Sequence, residues 1–356
     1  LTSFTPAFAK DPLSRFAVST ARMEEFAAKC VQLPTQKEME TDVQKWIEGG
    51  RKKGAPLLSV LLDGFPLNQV SEPDFKVLRD LTVPRGAHSR LKDEFRFDMK
   101  IQDRSVLIER ACVSEKCGAK GKEKKYDLSA YQKPSEAPCT SSLCGAKRIF
   151  GDLRGLLILW AYVKFGTNLS PFSDVMADPK GLDDETLRAI IAASLLIPDH
   201  LKDVSLRETG FFRFMKGATL SFYNGQKVVA NSFGGVFDPI DELNFAEKIY
   251  FFIHELAHRA RLRQNPGLDE SPEWLKAAGW KDLKTPPQNE AWASAYARVN
   301  PFEDFAETYS LYRLDPQRLK KVSPDRYDFM KTRVFDGLEY DQDLCRGSRP
   351  LRSARR

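Results

Sequence analysis

Apolar residues recur at helical spacing along much of this chain, and the stretches where they do so mark its elements. Leu153, Leu156, Leu157, Trp160 and Ala161 fall on one face of a 3.6-residue period, which predicts a core helix through Leu153–Val163. Asp183–Ile197 has the same period, with acidic residues in its first turn and Pro198 just past its end, so a second helix is expected there. A third is expected over Thr35–Gly49 around Trp46, within a region up to about residue 110 that reads as helices and loops, irregular near Pro66–Pro84. Strand patterning is rarer. Ala218-Thr219-Leu220-Ser221-Phe222, turned by Asn224-Gly225 and returning through Lys227-Val228-Val229-Ala230, predicts a hairpin. Phe245, Ile249, Phe252 and Ile253 place a buried helix over Leu243–Ile253, and Asn300 as N-cap with Pro301 at the first helical position opens another.

The buried helix runs into His254-Glu255-Leu256-Ala257-His258. Two histidines four apart on a helix share a face, so both imidazoles can reach one zinc ion. Glu255, beside the metal and not on it, is placed to take a proton from a water that the metal has acidified. The chain holds four histidines in all, and two of them fall here, which makes a chance pattern a poor account. The implied chemistry is metal-assisted hydrolysis.

A catalytic zinc needs a third protein ligand and an open position. The metzincin arrangement requires Gly and His where this chain has Arg261 and Gln264, and is excluded. On the helix after Asn300, Glu303 and Glu307 are four apart on one face. One can bind zinc while the other accepts a hydrogen bond from the second nitrogen of a ligand histidine. The plainer roles are a capping box for Glu303 and a solvated helix face for Glu307. His254-Glu255-x-x-His258 followed by Glu303-Asp304-Phe305-Ala306-Glu307 resembles the gluzincin metallopeptidases, and within them is most similar to catalytic domains of the anthrax lethal factor type. The resemblance spans roughly residues 215–315. It implies His254, His258 and Glu303 as zinc ligands, Glu255 as general base, Glu307 behind a ligand histidine, and Tyr296, seven residues ahead of Glu303, as the oxyanion donor.

Composition limits what surrounds this site. A chain of 356 residues with 42% hydrophobic content exceeds one usual domain and can bury a sizeable core. The net charge of +6 is spread among 49 acidic residues, leaving a nucleic-acid role unsupported. The local basic runs at Lys116–Lys125 and in the tail from Arg346 to Arg356 read as solvated loops or ends. No stretch approaches the length of a transmembrane helix, and a secretory leader is expected to have been removed or left out ahead of Leu1. Cys112-x4-Cys117-Gly-Ala-Lys and Cys139-x4-Cys144-Gly-Ala-Lys form an internal repeat, and Cys30 and Cys345 complete an even six. Disulfides in an exported protein, secreted or periplasmic, are favoured over a second, structural zinc, because the usual C-x2-C ligand spacing is absent.

The expectation is therefore an α+β protein: a mainly helical region over 1–145 with cysteine-rich loops at 112–145, a zincin-like catalytic domain over 146–345, and a basic tail at 346–356. The expected function is a zinc-dependent peptidase acting on a protein or peptide. Alternatives are a zinc amidase or endopeptidase directed at cell-wall peptide, and an inactive zinc fold kept for binding. Trp274 and Trp280, in the long connection between the metal helices, are expected to pack and not to line a subsite.

Overall fold

The computed structural model describes residues 16–62, 65–82, 95–102, 105–112, 123–127, 139–171, 181–207, 209–213, 240–263, 267–287 and 292–348, excepting the side chains of 59–68, 95–127 and 241. The expected hairpin over Ala218–Ala230, Cys117, and most of the basic tail lie outside the described residues. Within them the chain is α+β, mostly helical, with two small antiparallel sheets. Its residues cluster into two compact units, each discontinuous in sequence: 1–33 with 189–207 and 241–356, and 34–188 with 208–240. The expected boundary at 145/146 falls inside the second of these.

In that second unit, α2 (Gln36–Lys52) starts at a reciprocal capping box in which Thr35 and Glu38 satisfy each other's backbone N–H groups. Strands β1 (Leu57–Leu62) and β2 (Phe65–Ser71) pair antiparallel with a bulge between Ser59 and Val60, and α3 (Glu72–Thr82) follows at once. Strands β3 (Phe95–Gln102), β4 (Ser105–Cys112) and β5 (Glu123–Asp127) form the other antiparallel sheet in that order. Strands thus occupy parts of the region expected to be helices and loops. Leu57-Leu58-Ser59-Val60-Leu61-Leu62 is apolar apart from Ser59 and does not alternate, and so short a run carries no period that separates strand from helix.

Helices α4 (Ser142–Phe150) and α5 (Asp152–Phe165) cross closely at Gly155, where an added Cβ would lie 2.3 Å from the Ala146 carbonyl oxygen. Leu156, Leu157, Trp160 and Ala161 of the predicted face are buried, Leu153 is half-buried, and Ile158 and Leu159 are buried as well; Trp160 donates to Asp42 at 3.2 Å to tie α5 to α2. Cys139 and Cys144 are disulfide-bonded just ahead of and within α4.

α6 (Asp184–Leu196) and α7 (Asp199–Leu206) come next, with Pro198 separating them where the sequence expects a stop. The first unit is built on α1 (Thr20–Cys30), α8 (Phe245–Ala260) and α10 (Pro301–Leu314). α8 packs against α1, α7 and α10. Asn244 and Glu247 close a capping box at its start, and Glu247 also accepts from Thr20 Oγ1 at 2.9 Å, binding α1 to the head of α8. The connection from α8 to α10 carries α9 (Pro272–Ala277); α11 (Pro316–Val322) and α12 (Pro324–Phe329) then close the unit. Cys30, at the end of α1, is bonded to Cys345 across 315 residues.

No helix among the described residues is long and apolar enough to cross a membrane. Non-reducing peptide mapping is expected to recover Cys30 linked to Cys345 and Cys139 linked to Cys144; thiol titration of the unreduced protein that finds these four free would overturn the assignment.

Candidate metal centre

His254 and His258 sit on the inner face of α8 because the residues around them are core residues: Phe252, Ile253, Leu256 and Ala257 are completely buried. This apolar stripe seats the helix and leaves the two imidazoles edge to face, ring centroids 4.9 Å apart, looking toward the start of α10. α10 begins as the sequence predicts. Asn300 is the N-cap, Pro301 takes the first helical position, and the Asn300 Oδ1 accepts from the backbone of Phe302 and Glu303 at 2.9 Å each. The Glu303 carboxylate does not close a capping box; it turns to the histidines. Its Oε2 lies 3.1 Å from His254 Nε2 and 3.3 Å from His258 Nε2.

Glu307, one turn further along α10, is 2% exposed and meets the opposite edge of His254, Oε1 lying 2.7 Å from Nδ1. The plainer role of a solvated carboxylate does not apply to it. With Glu307 accepting the Nδ1 proton, His254 turns its Nε2 edge toward Glu303 and His258, and a metal bound there would displace the proton from Nε2 and leave the one on Nδ1 in place. Glu255 is half-buried on α8, and burial raises its carboxyl above the usual range, against the pull of His254 and His258. Tyr296, in the 3-10 turn Tyr296–Arg298 just before α10, stacks obliquely near His254 with centroids 6.0 Å apart. Burial, reinforced by Glu303, Glu255 and Glu307, holds its phenol protonated far above the ordinary range, so it serves as a hydrogen-bond donor.

The residues named from the sequence therefore come together. His254, His258 and Glu303 offer ligand atoms all within 4.8 Å of one another, the sole such group of three or more among the described residues. Their donor set, two imidazoles and a carboxylate, is one that catalytic zinc sites use. Tetrahedral ligands at roughly 2.1 Å from a zinc stand about 3.4 Å from each other, close to the 3.1 and 3.3 Å found between Glu303 and the two histidines. The residues fit zinc. Burial pushes His254 down while Glu303 and Glu307 push it up, and the two carboxylates prevail; the same attraction, chiefly from His258, holds Glu303 below its usual range despite burial.

Trp274 and Trp280 pack, as expected. Trp274 is fully buried against Phe305 and donates to the Pro301 carbonyl at 3.0 Å; Trp280 donates to Asp304 at 2.8 Å. Two supporting residues were not visible in the sequence. Asp304, beside Glu303, is fully buried in an ion pair with Arg326 at 2.9 Å. Tyr250 donates to Glu307 at 2.8 Å. Neither follows from local spacing, although Tyr250 does lie one turn before His254. Comparison with protein-family models, curated proteins and solved structures finds no match to this chain.

Proposed function

We propose that this protein is a zinc-dependent peptidase with a zincin-like catalytic unit. The observation that carries this is the meeting of His254, His258 and Glu303 from two helices, with Glu307 behind His254 and Glu255 beside the group. His254, His258 and Glu303 would hold the ion. Zinc, when bound, supplies a Lewis acid for the peptide carbonyl and lowers the pKa of water toward neutrality. The chain's own groups do the rest. Glu255 takes the proton of the attacking water and passes it to the leaving amine. The Tyr296 hydroxyl donates to the oxygen on which negative charge develops, and Glu307 keeps the Nδ1 proton of His254 in place. A purely structural site has no use for a carboxylate at Glu255, which argues against an inactive zinc fold. The disulfides Cys30–Cys345 and Cys139–Cys144 support an exported, secreted or periplasmic protein, since such bonds persist in oxidising compartments.

Protein purified without chelator is expected to carry one zinc per chain by elemental analysis, and to cleave members of a peptide library in a manner abolished by chelation. Absence of metal, with no uptake on adding zinc, refutes the metal site. Cleavage of cell-wall fragments but of no library peptide would move the substrate to cell-wall peptide while keeping the chemistry.

A further inference from the structure

The Glu307 carboxylate serves more than one partner. Oε1 meets His254 Nδ1 at 2.7 Å, whereas Oε2 accepts from the Tyr250 hydroxyl at 2.8 Å and from the backbone N–H of Ala17 at 3.1 Å. The same N–H also points at the Tyr250 oxygen, 2.9 Å away, so the hydroxyl receives one hydrogen bond and gives one. Ala17, Tyr250 and Glu307 are all buried. Phe16 packs edge-on against the Tyr250 ring at 5.0 Å, and Arg318 Nη1 donates to the Ala17 carbonyl. The segment is tied down further on through α1 and the Cys30–Cys345 bond.

A glutamate that orients a ligand histidine is useful only if its own rotamers are fixed. Were Glu307 to swing away, the one proton of a neutral, metal-binding His254 could sit on Nε2, the nitrogen that faces Glu303 and His258, instead of on Nδ1. Hydrogen bonding to Oε2 is what prevents this. We infer that Tyr250 is a positioning residue of the metal centre, held in register by the Ala17 N–H, so that the segment around Ala17 completes the site from more than two hundred residues away.

The inference rests on the metal-site reading, and the test separates the two. Zinc affinity is measured by competition with a chromophoric chelator for the wild type, Tyr250→Phe and Tyr309→Phe, with His254 followed by ¹⁵N NMR. Tyr309 is the matched control: a fully buried tyrosine on α10 whose hydroxyl has no hydrogen-bond partner among the described residues. Tyr250→Phe is expected to weaken zinc binding about tenfold and to alter the His254 Nδ1–H resonance, while Tyr309→Phe leaves both as in the wild type. Equal affinity in Tyr250→Phe and wild type overturns the inference and leaves the metal site standing, as does equal weakening in both variants, which would reveal a general packing effect. A wild type that takes up no zinc overturns both.

Discussion

Glu255→Gln is expected to keep the fold and the metal while losing roughly 10²–10⁴-fold in turnover on any peptide the protein cleaves. Glutamine preserves the shape of the side chain and can still hydrogen-bond a water, but it cannot accept the water's proton. His254, His258 and Glu303 do not depend on it for their arrangement, since Glu303 contacts the histidines directly. Zinc content and the thermal transition of the variant should therefore match the wild type, with the deficit confined to kcat. Glu255 is half-buried, which shields it in part from bulk solvent. Wild-type turnover by Glu255→Gln would remove Glu255 from the mechanism.

The parts of this site that were legible in the sequence are those encoded by local spacing. His254 with His258, and Glu303 with Glu307, are both i, i+4 pairs, and the helical period alone puts each pair on one face. Asn300 and Pro301 announce the start of α10, and the apolar stripe of α8 announces that its histidines face a core. What the sequence hides is long-range. Nothing near Ala17 signals that its N–H reaches Glu307, and nothing near Cys30 singles out Cys345 over four other partners. Gly155 is silent for the same reason, because its need to be glycine arises from the Ala146 carbonyl on the neighbouring helix. The strands Leu57–Leu62 and Phe65–Ser71 were missed because such short runs have no decisive period.

Replacing Arg326 by methionine is expected to destabilise the protein by about 3–5 kcal/mol, the usual cost of leaving a buried charge without its partner. Arg326 and Asp304 are both wholly inaccessible, and one guanidinium nitrogen joins the Asp304 carboxylate at 2.9 Å and the Ala278 carbonyl at 2.8 Å. Asp304 in turn accepts from Trp280 at 2.8 Å and from the Thr308 hydroxyl at 3.3 Å. Burial already pushes Asp304 above the usual carboxylate range, with Arg326 as the first of the groups opposing it. Without Arg326 the carboxylate must stay charged and uncompensated or take up a proton, and both are unfavourable at neutral pH. The damage should extend to the proposed chemistry, because Asp304 adjoins Glu303 and anchors Trp280 in the connection that leads to Tyr296. Urea denaturation of Arg326→Met, Asp304→Leu and the double variant forms a double-mutant cycle. The double variant is expected to be more stable than either single one, since it buries no lone charge, yet still short of the wild type because Trp280 and Thr308 lose an acceptor. Additive single and double effects, or a cost below about 1 kcal/mol for Arg326→Met, would show that the pair does not hold α10 and the connection before it in place.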